Sequence, residues 1–217
     1  MRVLVFGATG SAGGSVLKAA LRARDVSEVI AVVRRPLPLT DAKLRVLTHE
    51  NFLDFSTRAK DFAHIDACFY ALGVSSVQVS VEADYRRITK DFAVAAARVL
   101  KAASPNAHFV FISGASTRSD SRYMWARVKA EAENDLMALV GAVCFRPGAI
   151  DGEPSVAGGR AWYAPFRPLF KVFAPFRSLY VSGEDLGLAM LQATREGMRA
   201  RVLENRDIRD LADRARA

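Results

Sequence analysis

The chain has 217 residues, 51% of them hydrophobic, which suits one domain with a full core and at most a small appendage. Its formal charge is +8, yet the arginines are spread along the chain without a basic helix, zinc-ligand spacing or an aromatic-basic ribonucleoprotein motif, which excludes nucleic acid as the expected partner. No charged leader with an apolar stretch and cleavage site opens the chain, and no apolar run reaches transmembrane length, so a cytoplasmic protein without stable membrane insertion is expected.

Val3, Leu4, Val5 and Phe6 read as a fully buried parallel strand, and Ser15 to Arg24 carries Val16, Leu17, Ala20 and Leu21 at helical spacing. The glycines between them therefore lie in a strand-to-helix turn. Gly7 permits a tight turn, Gly10 lets a pyrophosphate approach the backbone, and Gly13 allows the helix to pack closely on the strand. Thr9, Ser11 and Ala12 complete a dinucleotide cradle whose helix N-terminal amides face the phosphates. A glycine turn without a ligand is the competing reading, because three glycines alone are a weak signal. The spacing is Gly-x-x-Gly-x-x-Gly, and Gly7-Ala8-Thr9-Gly10-Ser11-Ala12-Gly13 resembles the glycine motif of atypical and extended short-chain dehydrogenases/reductases.

Glu28 to Val33 is a second buried strand, ending in Arg34-Arg35-Pro36. An acid at this junction would accept from the ribose hydroxyls of NAD, whereas arginine favours the extra phosphate of NADP. Arg34 and Arg35 stand there and no acid does, so NADP is expected over NAD; solvent-facing loop charges are the alternative. Leu44 to Thr48 reads as a third strand. In the resembled family an aspartate in the next loop contacts the adenine amino group, and Asp54 matches it; a helix start before Ser56 competes. Ile65 to Leu72 reads as the fourth strand, and Ala71-Leu72-Gly73 stands where the family has a small-residue turn beneath the nicotinamide half of the cofactor. Val81 to Ala103 is expected as one long helix with Tyr85, Ile88, Phe92, Ala95, Ala96, Val99 and Leu100 on its sheet face. Asp84 and Asp91 read as solvated or capping charges. His108 to Ser113 is the fifth strand, and the hydroxyls of Ser113 and Ser116 at its carboxyl end face the expected ligand crevice.

An amphipathic helix is expected from about Arg122 to Val140, with Lys129 in its first half. Tyr123-Met-Trp125-Ala-Arg-Val-Lys129 resembles the family's Tyr-x-x-x-Lys segment, but Trp125 occupies the tyrosine position. In a continuous helix Tyr123 and Lys129 lie on faces roughly 120° apart, while Trp125 shares the Lys129 face. Ala142 to Phe145 reads as a sixth strand, Arg146-Pro147-Gly148 resembles the turn that follows it in the family, and Gly148 to Gly159 lacks periodicity and is expected over the crevice. From Arg160 to Arg177 aromatic and basic residues alternate, interrupted by Pro165, Pro168 and Pro175, which suggests a mobile cover over the substrate end. Core packing, a homodimer contact and an interfacial membrane anchor compete, the last disfavoured by the prolines. Leu179 to Val181 reads as a short strand, Ser182 to Asp185 as the start of a helix running to Glu196, Arg201 to Leu203 as a last strand, and Asn205 as the cap of the final helix. Cys68 and Cys144 read as buried thiols, and His49, His64 and His108 lack ligand spacing, so no metal is assigned.

Strand and helix alternate through residue 145, which predicts an α/β fold with a doubly wound, mainly parallel sheet. One domain over 1–217 is expected, its nucleotide part about 1–145 and its substrate side about 146–217. The resemblance covers nearly the whole chain and is strongest to the short atypical branch with Tat-interacting-protein-like and NmrA-like oxidoreductases. In that family a tyrosine protonates a carbonyl oxygen as hydride arrives, while the lysine binds the nicotinamide ribose and lowers the tyrosine pKa. The resemblance thus implies an NADP(H)-dependent oxidoreductase acting on a small apolar carbonyl or quinone, with Lys129 on the ribose, Ser113 or Ser116 near the substrate, and Trp125 in place of the phenol. A nucleotide-binding regulatory protein without turnover, and an epimerase or dehydratase, are the alternatives.

Overall fold

The structure, a computed structural model, describes residues 1–152 and 175–217. In chain order it runs β1 (Arg2–Phe6), α1 (Ser11–Arg22), β2 (Glu28–Val33), β3 (Leu44–Thr48), a 3-10 helix (Ser56–Phe62) and β4 (Ala67–Tyr70). Next come α2 (Glu82–Arg86), a π-helical turn (Arg87–Asp91), α3 (Phe92–Ala103), β5 (His108–Ile112), α4 (Met124–Val140), β6 (Val143–Arg146) and β7 (Ala149–Asp151). The last described elements are β8 (Tyr180–Ser182), α5 (Gly183–Arg195), β9 (Arg201–Glu204) and α6 (Asn205–Arg216).

Seven strands form one sheet in the order β3-β2-β1-β4-β5-β6-β9, and every neighbouring pair is parallel. Parallel pairing forces a crossover between neighbours, and the helices that make the crossovers cover both faces. Val3, Val5, Phe69 and Phe145 pack on one face with α1, α5 and α6. Leu4, Phe6, Tyr70, Phe109 and Cys144 pack on the other with the 3-10 helix, α3 and α4. The four residues of β4 are all buried, which is why that strand reads as an unbroken apolar run. The strand order reverses between β1 and β4, so the crevice beyond their carboxyl ends is the topological switch point where ligands bind in such sheets. This is the expected doubly wound architecture, with a separate two-stranded parallel sheet of β7 and β8 on its late side.

The expected helix from Val81 to Ala103 is divided by the π turn. Its most buried residues include Tyr85, Thr89, Ala93 and Ala97, a spacing of four that an unbroken α-helix cannot keep on one face. The wider turn absorbs the drift and leaves Ile88 and Phe92 to border the crevice. The helix expected from Arg122 begins at Met124, because Tyr123 is extended and its amide donates to Ser121 Oγ at 3.1 Å. Residues 149–151 form β7, where no periodicity was expected, through the Ala149 amide's bond to the Leu179 carbonyl. Asn205 is not the cap of the last helix: Glu204 is, in a reciprocal capping box with Asp207. Ser182 does cap α5, accepting from the Asp185 amide at 3.0 Å. Of the aromatic-basic stretch expected as a cover, all but the end lies outside the described residues; Arg177 pairs with Asp210 and Asp213 of α6. No helix among the described residues is long and apolar enough to cross a membrane.

Candidate functional site

The glycine loop joins β1 to α1 at the switch point. Gly7 has a φ of 79°, and a Cβ there would lie 2.5 Å from the Ala71 carbonyl oxygen, so the loops after β1 and β4 touch through backbone alone. A Cβ on Gly13 would collide with the Gly7 carbonyl, which is how closely α1 approaches the strand end. The Gly10 amide donates to the Gly7 carbonyl at 2.9 Å, and Gly14 makes the first helical bond back to Gly10 at 2.7 Å. The amides of Ser11, Ala12 and Gly13 thus have no helical acceptor. Gly10 supplies no side-chain cap and the first turn holds no acid, so this helix end favours an anion.

Two cavities open beside the loop, of about 450 and 190 Å³, and they share Gly7, Thr9, Arg34 and Leu72. The larger extends to Arg35, Pro36 and Phe52, the smaller to Ala71, Gly73, Ile88 and Phe92, and among the described residues no acidic one lines either. Arg34 and Arg35 are exposed. A Cβ on Gly73 would meet no described atom within 4 Å. Asp54, the expected adenine contact, is not among the described residues that line either cavity. Its Oδ1 accepts from the Ser56 amide at 2.8 Å, which holds its carboxyl below the usual range and makes it part of the 3-10 helix start. Phe52 is the residue of this loop that borders the cavity, packed edge-on against Phe6 at 6.0 Å.

Beyond β5 the structure separates the two candidate serines. Ser113 is 3% exposed, with its hydroxyl 3.2 Å from Thr117 Oγ1, which in turn donates to the Gly114 carbonyl at 2.7 Å. Ser116 is exposed and holds a left-handed φ of 65°, a strained conformation for a residue with a Cβ. Lys129 reaches from α4 and donates from Nζ to the Ser113 carbonyl. A Cβ on Gly114 would sit 3.3 Å from that Nζ, so the ammonium lies directly against the turn. Burial lowers the Lys129 pKa to about 8, with the Glu133 carboxylate one helical turn away opposing the shift. Glu133 is itself 2% exposed and held by Arg146 through two bonds of 3.0 and 2.7 Å, while Arg146 also meets Glu204 at 3.1 Å. Sequence reasoning missed Glu133, which carries no local motif and is recognised by burial alone, while Thr117, one of the hydroxyls at the end of β5, is buried rather than open to the crevice.

Trp125 is half-buried one turn before Lys129. Tyr123 lies outside the helix, so the expected 120° separation from Lys129 does not apply to it. It is 51% exposed, its ring runs nearly parallel to Trp125 with centroids 6.4 Å apart, and its hydroxyl accepts from Arg122 at 2.6 Å.

The sheet order and the glycine loop at its switch point together define a doubly wound Rossmann fold. Solved structures share it. A short-chain dehydrogenase/reductase family oxidoreductase from Burkholderia thailandensis superposes with a TM-score of 0.71 at 14% identity, over 95% of this chain and 92% of that one. DesIV, a dTDP-glucose 4,6-dehydratase from Streptomyces venezuelae with NAD bound, gives 0.70 at 14% identity, over 98% of this chain and 80% of that one. No family model matches the chain. Protein FMP52 of Saccharomyces cerevisiae is 30% identical over 157 residues, 70% of this chain and 67% of that protein, and the chain belongs to the FMP52 family. Relatives in that family are named mitochondrial, which overturns the cytoplasmic location expected from the sequence.

Proposed function

We propose that the protein is an NADP(H)-dependent oxidoreductase whose acceptor is a small apolar carbonyl or a quinone. The observation that carries the cofactor reading is Arg34, which borders both cavities at the end of β2 in a crevice where no described residue is acidic. The residues fit the dinucleotide: Gly7 and Gly13 leave only backbone at the loop, and the Ser11 to Gly13 amides receive the pyrophosphate. Arg34 and Arg35 take the ribose phosphate, and Lys129 donates to the nicotinamide ribose hydroxyls from beside Gly114. Bound there, the nicotinamide supplies hydride chemistry.

Ser116, rather than the inward-turned Ser113, offers its hydroxyl to the substrate oxygen. The Trp125 indole N–H can orient that oxygen or its ring can stack on a flat acceptor, but it cannot release a proton near neutrality. Acceptors that take their protons from water, such as quinones, therefore suit the site better than aldehydes. The missing phenol also favours a second reading, a protein that binds NADP(H) without turnover. Both bind nucleotide, and only the first consumes NADPH absorbance against a panel of quinones and aldehydes. Calorimetry showing no nucleotide binding removes both.

A further inference from the structure

Asn205 opens α6 but does not cap it, and its side chain is 2% exposed. A buried amide needs partners on both its oxygen and its nitrogen, and here other segments supply them all from backbone. Oδ1 accepts from the Gly148 amide at 2.8 Å, while Nδ2 donates to the carbonyls of Arg177 and Tyr180 at 2.7 and 2.8 Å. The first residue of the last helix thereby ties the turn after β6 to the segment that leads into β8.

The next bonds lead to the site. Pro147, whose peptide bond to Gly148 carries that clamped amide, accepts through its carbonyl from the Ala115 amide at 2.9 Å. The Ser113 amide donates to the Phe145 carbonyl at 2.7 Å, and the Ser113 carbonyl accepts from Lys129. The turn that carries Ser113 and Ser116 is thus suspended from Phe145 and Pro147 on one side and from Lys129 on the other. Carbonyl and amide of one peptide plane move together, so whatever fixes the Gly148 amide fixes the Pro147 carbonyl.

We propose that Asn205 is a positioning residue for the Ser113–Ser116 turn, acting through the Pro147–Gly148 peptide. The proposal rests on the function proposed above, which gives that turn its role. It is tested on the full chain by residue-resolved amide hydrogen exchange and by NADPH turnover with a quinone, comparing wild type, Asn205→Ala and the milder Asn205→Ser. In Asn205→Ala the Gly148 and Ala115 amides exchange faster together, by roughly tenfold, while β1 amides keep their rates. The kcat falls by a similar factor, with nucleotide Kd and acceptor KM changed less than about twofold, and Asn205→Ser lies between. Should Asn205→Ala fail to fold, Asn205→Ser carries the same comparison. Faster exchange at Gly148 with Ala115 unchanged, or no change at Gly148, overturns the proposal. A protein that binds no NADP(H) overturns the proposed function instead and leaves the exchange result standing, so the two failures are told apart.

Discussion

Replacing Arg34 and Arg35 by alanine tests the cofactor reading most directly. Both side chains are exposed and neither makes a hydrogen bond or ion pair among the described residues, so the change removes cations without breaking the fold's own contacts. A hydrogen bond to a charged group contributes roughly 1.5 to 3 kcal/mol, and solvent screening at an exposed position argues for the lower end, about tenfold in affinity. Arg34 borders both cavities and Arg35 only the larger, so Arg34→Ala carries most of the loss. Calorimetry with NADP and NAD should show wild type preferring NADP by about tenfold or more, and the double variant losing that preference while its NAD affinity changes less than about twofold. Raising the salt concentration should erode the preference as well, because exposed charges are screened over about 10 Å at 0.1 M. Equal constants for the two nucleotides in wild type, or a double variant that still prefers NADP, refutes the reasoning.

Lys129 becomes neutral as the pH rises through about 8, so NADP(H) affinity should fall across that range and Lys129→Met should bind weakly and without the pH dependence, as read by titrations from pH 6.5 to 9.5. The same depressed pKa opposes folding below about 8 and relaxes as pH rises toward the ordinary 10.5, because the unfolded chain keeps its proton longer; Lys129→Met should therefore melt higher than wild type at pH 7, by an advantage that shrinks at alkaline pH. Glu133→Gln leaves Arg146 with Glu204 alone and should cost roughly 3 kcal/mol in urea unfolding, the lower end for breaking a buried pair; no change in midpoint would show the pair to be dispensable. Trp125→Tyr restores a phenol four residues before Lys129 and should raise aldehyde reduction by about 100-fold or more, measured as NADPH consumption, whereas brisk aldehyde reduction by wild type that Tyr123→Phe abolishes would make Tyr123 the acid.

The centre of the sheet was legible because β1, β2 and β4 are buried on both faces and announce themselves as apolar runs with glycine or proline close behind. The glycine loop was legible for the same local reason, since Gly7 and Gly13 meet backbone that any side chain would displace. Elements whose periodicity is shared with something else were harder. The buried face of the α2–α3 region repeats every four residues, and a reading at 3.6 places Ile88 and Phe92 on the sheet instead of at the crevice. The β7 strand has three residues, too few for any period to register, and exists because Leu179 lies opposite it.

The candidate site was legible residue by residue but not in its connections. Lys129, Ser113 and Ser116 stand out as types at the end of a strand or on a helix face, yet what separates the two serines is Thr117, whose hydroxyl closes on Ser113. The same distance in sequence hides Asn205, because its type suits a helix start and its position is next to one. Glu204 and Asp207 meet that need first, which frees the Asn205 amide to turn inward toward Gly148, Arg177 and Tyr180, up to 57 residues away. Tyr123 shows the converse: helical spacing assigned it a face, but one extended residue at the helix start released it from that spacing and set its ring alongside Trp125. Local pattern predicts the elements, and the chemistry depends on which side chains those elements leave unsatisfied.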